Sequence, residues 1–331
     1  MGILDKIRLR LTVFLLRSNI RVASLFRGLF GTRPYYTHFP PNRSFGIKSS
    51  TSSRNIKINV YEPTNFDKGK TYPVYLNFHS SGFMIPSLGM DGDFCRIVSN
   101  RTGAIVLDCD YAKAPEYPFP AAPDDVRDAI SHVLDNQGGY YDTSRLAAGG
   151  FSAGAALALT AVTAQPKGTV KGRAIPHLIV VFRLITLASG IIAFYPPADF
   201  SLDHADRPQP DVPKEEQNPL STPSFMKLVQ DCYCPPGTDL SDPRLSPINV
   251  PLSCFPKHVF IAVCGYDPLR NEAVTLAEKL KQGGIDVAFH DLPKVAHAWD
   301  KEAKEKTHGG VARHNSYEAA VEMLKLVFGS N

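Results

Sequence analysis

The sequence predicts an α/β fold in which a mostly parallel central sheet is flanked by helices and topped by a helical cap. Three observations carry that expectation. Short, almost wholly apolar runs at 72–78, 104–109 and 259–264 suit strands buried on both faces. Amphipathic runs at 94–102, 124–134, 271–282 and 317–328 come between or after them, as helices do in an alternating strand–helix order. At the centre, an apolar stretch at 146–148 leads into Gly150-Phe151-Ser152-Ala153-Gly154 and then an alanine- and leucine-rich helix at 155–164. A strand, a tight turn and a helix in that order give Gly-x-Ser-x-Gly its chemical sense, because they expose a serine hydroxyl above the sheet.

A chain of 331 residues, 44% of them hydrophobic, can bury a large core, and the lack of a central linker favours one domain with insertions. The expected division is an N-terminal cap helix and join at 1–55, the first part of the core at 56–198, a cap insertion at 199–247 and the second part of the core at 248–331. Residues 1–33 hold seven basic residues against Asp5 alone, a surplus of +6, so the rest of the chain carries about −2 of the net +4. That distribution leaves no basic footprint on the body, and nucleic acid is excluded as a partner. The six cysteines show no metal-ligand spacing and read as buried free thiols in a reducing, cytoplasmic compartment.

Taken in order, Ile7, Leu11, Phe14, Val22, Leu25 and Leu29 recur at near-helical spacing among arginines, without the apolar core or cleavage site of a signal peptide. Two readings stand: a helix covering a hydrophobic pocket, and a peripheral membrane contact through residues 1–33. Residues 34–55 read as a loop, 56–61 as a strand, and 72–78 as a strand running into His79-Ser80-Ser81-Gly82-Phe83. Such a turn of small residues can aim backbone amides at one point. Residues 141–145 read as a polar turn before the central motif. The apolar run at 178–189 reads as a helix or irregular segment before a strand at 191–195, and 199–247 as a proline-rich excursion with one helix at 224–233. A strand at 259–264 ends in Gly265-Tyr266-Asp267-Pro268-Leu269, and one at 287–290 precedes Val295-Ala296-His297.

These motifs, with Asp110 and Ala114-Pro115-Glu116, make residues 56–329 resemble the hormone-sensitive-lipase-like group of α/β-hydrolases, and its fungal members most. The resemblance implies a Ser152, Asp267, His297 triad in the chain order of that fold. It implies an oxyanion hole from the amides of Ser81, Gly82 and Ala153, and a structural role for Glu116 beside the site. Phe83, Phe151 and Trp299 are expected at the substrate pocket. His290, His308 and His314 compete for the role of base, the last two in a region read as a mobile loop or helix approach. The chain departs from the group at Ser80 and Ser81, usually glycines, and at Phe151, usually aspartate; a serine where φ is positive would strain the turn.

The implied function is hydrolysis of small to medium hydrophobic carboxylic esters through an acyl-enzyme, with a small-molecule ester as partner and no metal or organic cofactor. Two alternatives stand beside it: a deacetylase or lactonase of a natural-product pathway, and a non-catalytic small-molecule receptor. A homodimer is also compatible with the sequence.

Overall fold

The computed structural model describes residues 2–29, 39–136, 138–161, 188–203 and 205–329. Among these residues eight strands form one sheet: β1 (Arg43–Lys48), β2 (Asn55–Tyr61), β3 (Tyr72–Phe78), β4 (Ile105–Cys109), β5 (Tyr141–Phe151), β6 (Ala188–Phe194), β7 (His258–Tyr266) and β8 (Asp286–Ala296). Their order across the sheet is β1-β2-β4-β3-β5-β6-β7-β8. The β1–β2 and β2–β4 pairings are antiparallel and every other pairing is parallel. β3 and β4 are buried along their whole length, as the unbroken apolar runs require of strands covered on both faces.

Two helical layers cover the sheet. On one face α2 (Gly92–Thr102) and the last helix, α7 (His308–Phe328), enclose Phe94, Phe151, Phe194 and Phe260. On the other lie α3 (Ala121–Asp135), the wholly buried α4 (Ala153–Ala161) and α6 (Arg270–Gln282). Above the C-terminal ends of the strands sit α1 (Ile3–Leu29) and α5 (Pro223–Tyr233).

Two expectations need correction. Residues 43–48, read as loop, form the edge strand β1, whose side chains alternate between half-buried and exposed. The polar turn at 141–145 is the first half of β5, with Tyr141 already paired to Tyr72. Of the two readings of the region around His308 and His314, loop or helix approach, the structure takes the helical one: both stand on α7, which starts where Thr307 Oγ accepts the Gly310 amide at 3.1 Å. The apolar run at 178–189 lies, up to residue 187, outside the described residues. Among the described residues no helix is long and apolar enough to cross a membrane. All six cysteines are free, and five of them are buried.

Candidate active site

β5 ends at Phe151 and α4 begins at Ala153, leaving Ser152 alone in the turn with φ at +52°. A residue with a Cβ is strained there. The Ser152 amide donates to Phe194 O at 2.9 Å, and Ser152 O accepts the Ala156 amide at 3.1 Å, so both flanks of the turn are held. The glycines permit the close approach: a Cβ on Gly150 would lie 2.2 Å from Phe78 O, and one on Gly154 only 1.8 Å from it. Gly154→Ala should therefore push α4 off β3 and cost about 3 kcal/mol. A denaturant midpoint equal to wild type would show that the contact yields freely.

The Ser152 hydroxyl lies 2.8 Å from Nε2 of His297, the first residue after β8. His297 Nδ1 is 2.6 Å from Oδ2 of Asp267, just past β7. The Asp267 side chain is nearly sealed from solvent, and its Oδ1 accepts the Leu269 amide at 3.0 Å. Three parallel strands thus deliver the expected serine, aspartate and histidine to one place. Asn218 Nδ2 donates to His297 O at 2.7 Å, and the Tyr195 ring packs edge-on against the imidazole at 4.8 Å.

Beneath them lies a buried polar network. The hydroxyls of Tyr195 and Tyr317 each donate to Asp300 at 2.7 Å, and Lys301 Nζ bridges Asp300 and Asp91, also at 2.7 Å. Burial would lower the Lys301 pKa, but the two carboxylates hold it above its ordinary range. Asn77 Nδ2 extends the network to Asp91 and Asp108. Burial, with the Asp91 charge added, pushes the Asp108 carboxyl up to about 6 from 3.8. A raised carboxyl stabilises the fold below about pH 4, and that contribution is lost as pH rises through about 6. The stability difference between wild type and Asp108→Asn should move by on the order of 2–3 kcal/mol between pH 4 and 7, wild type losing ground. A difference independent of pH, measured by denaturation, would refute this.

In the turn after β3 the left-handed positions are Gly82 (φ +53°) and Phe83 (φ +57°), so neither Ser80 nor Ser81 bears the anticipated strain. Ser81 instead braces the turn. Its Oγ accepts the Phe83 amide at 2.8 Å and bonds the Tyr111 hydroxyl at 2.6 Å, while Tyr111 donates to His79 O. The amides of Ser81, Gly82 and Ala153 find no acceptor among the described residues, and all three residues line the cavity that holds Ser152.

That cavity encloses about 980 Å³ between Leu16 and Ile20 of α1, Phe225 and Met226 of α5, Phe83 and Trp299. Phe83 is stacked on Tyr233 at 4.0 Å. Phe151 does not line it, contrary to expectation. At the end of a strand its side chain faces away from the cavity, into the layer under α2 and α7, where it stacks on Phe194 at 4.5 Å. Lys301 Nζ sits 3.5 Å from the centre of its ring. Glu116 lies outside the cavity wall and makes a two-bond ion pair with Arg17 of α1, at 2.8 and 2.9 Å. Arg17 also donates to Met84 O and Ala114 O, so α1 is fastened to loops on both sides of the oxyanion turn. Nothing in the sequence separates Arg17 from its neighbouring arginines, or marks Asn218, Asp91 and Lys301.

The family model described as alpha/beta hydrolase fold matches residues 75–301, more than half of the chain. The chain belongs to this family. Carboxylesterase NlhH of Mycobacterium tuberculosis is 31% identical over 255 residues, covering 74% of this chain and 71% of its own. Versiconal hemiacetal acetate esterase of Aspergillus parasiticus is 25% identical over 272 residues, covering 81% and 79%. Among solved structures, a hyperthermophilic esterase from Pyrobaculum calidifontis superposes with a TM-score of 0.69 at 22% identity, covering 99% of this chain and 98% of its own, a likeness of fold. In this chain the Lys301 ammonium over the Phe151 ring is paired with Asp91 and Asp300.

Proposed function

We propose that this protein is a serine carboxylesterase that cleaves small to medium hydrophobic carboxylic esters through an acyl-enzyme. The carrying observation is the continuous relay from Ser152 Oγ to His297 to Asp267, at 2.8 and 2.6 Å, beside three unengaged amides. In this reading His297 Nε2 takes the Ser152 proton as Oγ bonds to the ester carbonyl carbon. The carbonyl oxygen gains negative charge, and the amides of Ser81, Gly82 and Ala153 donate to it. Asp267 keeps a proton on Nδ1 and stabilises the imidazolium. The C–O bond then breaks, the imidazolium proton passes to the departing alkoxide, and the acyl group stays on Ser152. Water attacks the acyl carbon while His297 takes its proton, and that proton returns to Oγ as the acid leaves.

An intact relay gives little support to a receptor without turnover. A fungal affinity within the family and a specialised natural-product acetate as substrate form the second reading, supported by the name of the Aspergillus relative. The free thiols support a reducing, cytoplasmic setting. The division into cap and core at 55, 198 and 247 belongs to the same proposal, supported by the cavity wall that Leu16, Ile20 and Met226 provide.

A series of p-nitrophenyl esters from acetate to dodecanoate should show turnover with an optimum among the short and medium acyl chains. A fluorophosphonate should label Ser152 alone. Folded protein that turns over no ester and takes no label would overturn the assignment.

A further inference from the structure

We infer that the outward face of α1 docks on an anionic lipid surface. The helix runs from Ile3 to Leu29 and carries two apolar faces. One is turned to the body: Val13 is fully buried, Leu16 and Ile20 stand in the cavity wall, and Arg17 is bonded to Glu116, Met84 O and Ala114 O. At 3.6 residues per turn, Leu4, Ile7, Leu11, Phe14, Val22 and Leu25 fall on the opposite side, within an arc of about 80°. All are exposed, Leu4 by 81%, Phe14 by 64% and Leu25 by 68%. A surface helix ordinarily turns its polar residues to water; this one presents an apolar stripe interrupted at Ser18, whose hydroxyl is turned back onto Phe14 O.

Charge identifies the occupant. The same wheel puts Arg8 on one edge of the stripe and Arg10 and Arg21 on the other, all three exposed. Guanidinium groups flanking an apolar stripe suit a helix lying in an anionic interface, with its apolar side chains among acyl chains and its arginines reaching up to headgroups. A second copy packed on this face would bring arginine rows together, and like charges oppose that pairing. An uncharged groove would leave the arginines unused. Because the cavity lies under the other face of the same helix, docking would hold the cavity beside the lipid.

The full chain should be sedimented with phosphatidylcholine vesicles, with and without phosphatidylserine, at low and high salt. Two variants accompany it: Leu11→Gln/Phe14→Gln/Leu25→Gln and Arg8→Gln/Arg10→Gln/Arg21→Gln. Wild type is expected to bind the phosphatidylserine vesicles at low salt and to be released by high salt. Removing the arginines should weaken partitioning by about a hundredfold, about fivefold for each charge, and the apolar variant should not bind. Hydrolysis of a soluble acetate ester, unchanged in both variants, reports the catalytic site separately, so failure of the esterase reading and failure of this one give different results. No sedimentation of wild type at low salt, or undiminished sedimentation of the apolar variant, would overturn the inference. A wild-type dimer that the apolar variant dissociates would overturn it in favour of self-association.

Discussion

Ser152→Ala is expected to lower kcat for a soluble ester by roughly 10⁴- to 10⁶-fold without disturbing the fold. The substitution removes one oxygen and leaves the Cβ, so the cost of holding φ at +52° is the same for alanine as for serine. The bonds that fix the turn, from the Ser152 amide to Phe194 O and from the Ala156 amide to Ser152 O, are made by backbone and survive. What disappears is the hydroxyl 2.8 Å from His297 Nε2 that forms the acyl bond. The residual rate would come from the three amides and from holding the ester beside water. Equal melting temperatures with a collapsed kcat would separate chemistry from folding; turnover close to wild type would place the nucleophile elsewhere.

Asp267→Asn should reduce kcat by about 10⁴-fold with little change in KM. The reason lies in the second oxygen of the carboxylate. Because the Leu269 amide donates to Oδ1, an asparagine here would keep its oxygen on that amide and turn its NH₂ toward the imidazole. His297 Nδ1 would then have to accept, its proton would move to Nε2, and Nε2 would donate to Ser152 instead of receiving from it. The nearly complete burial of Asp267 leaves water little chance to restore the bond. Nitrogen NMR of the His297 ring would reveal the change of tautomer. A variant with the wild-type tautomer and unimpaired kcat would exclude Asp267 from the relay.

The parts of this molecule that could be read in advance are those governed by local rules. β3, β4 and β7 were legible because a strand buried on both faces must be apolar throughout. The Ser152 turn was legible because only small residues clear Phe78 O. β1 was not, since an edge strand with one wet face has a weak pattern, and Gly46 weakens it further. The first half of β5 hid behind Asp142, Thr143 and Ser144, residues that favour turns; only Tyr141 there pairs with β3, and the register shifts before Leu146. Phe151 was misplaced because the side chain before the serine points to the opposite face of the sheet. The bridge from Lys301 to Asp91 and Asp300 was illegible for a different reason. Charged residues in a sequence suggest solvent, and only tertiary structure brings these three together away from it.

The distance along the chain between the assembled groups has a kinetic consequence. Ser152 and His297 are 145 residues apart, and the parallel run β5-β6-β7-β8 must be complete before their side chains can meet. Such non-local pairing is a slow event in folding, whereas α1 or α4 can form from local contacts alone. During refolding, helical circular dichroism would therefore recover ahead of reactivity toward a serine-directed phosphonate. Enzymatic competence in this chain is a late reporter of sheet closure, and a fragment ending before β8 would be inert however much native helix it retained.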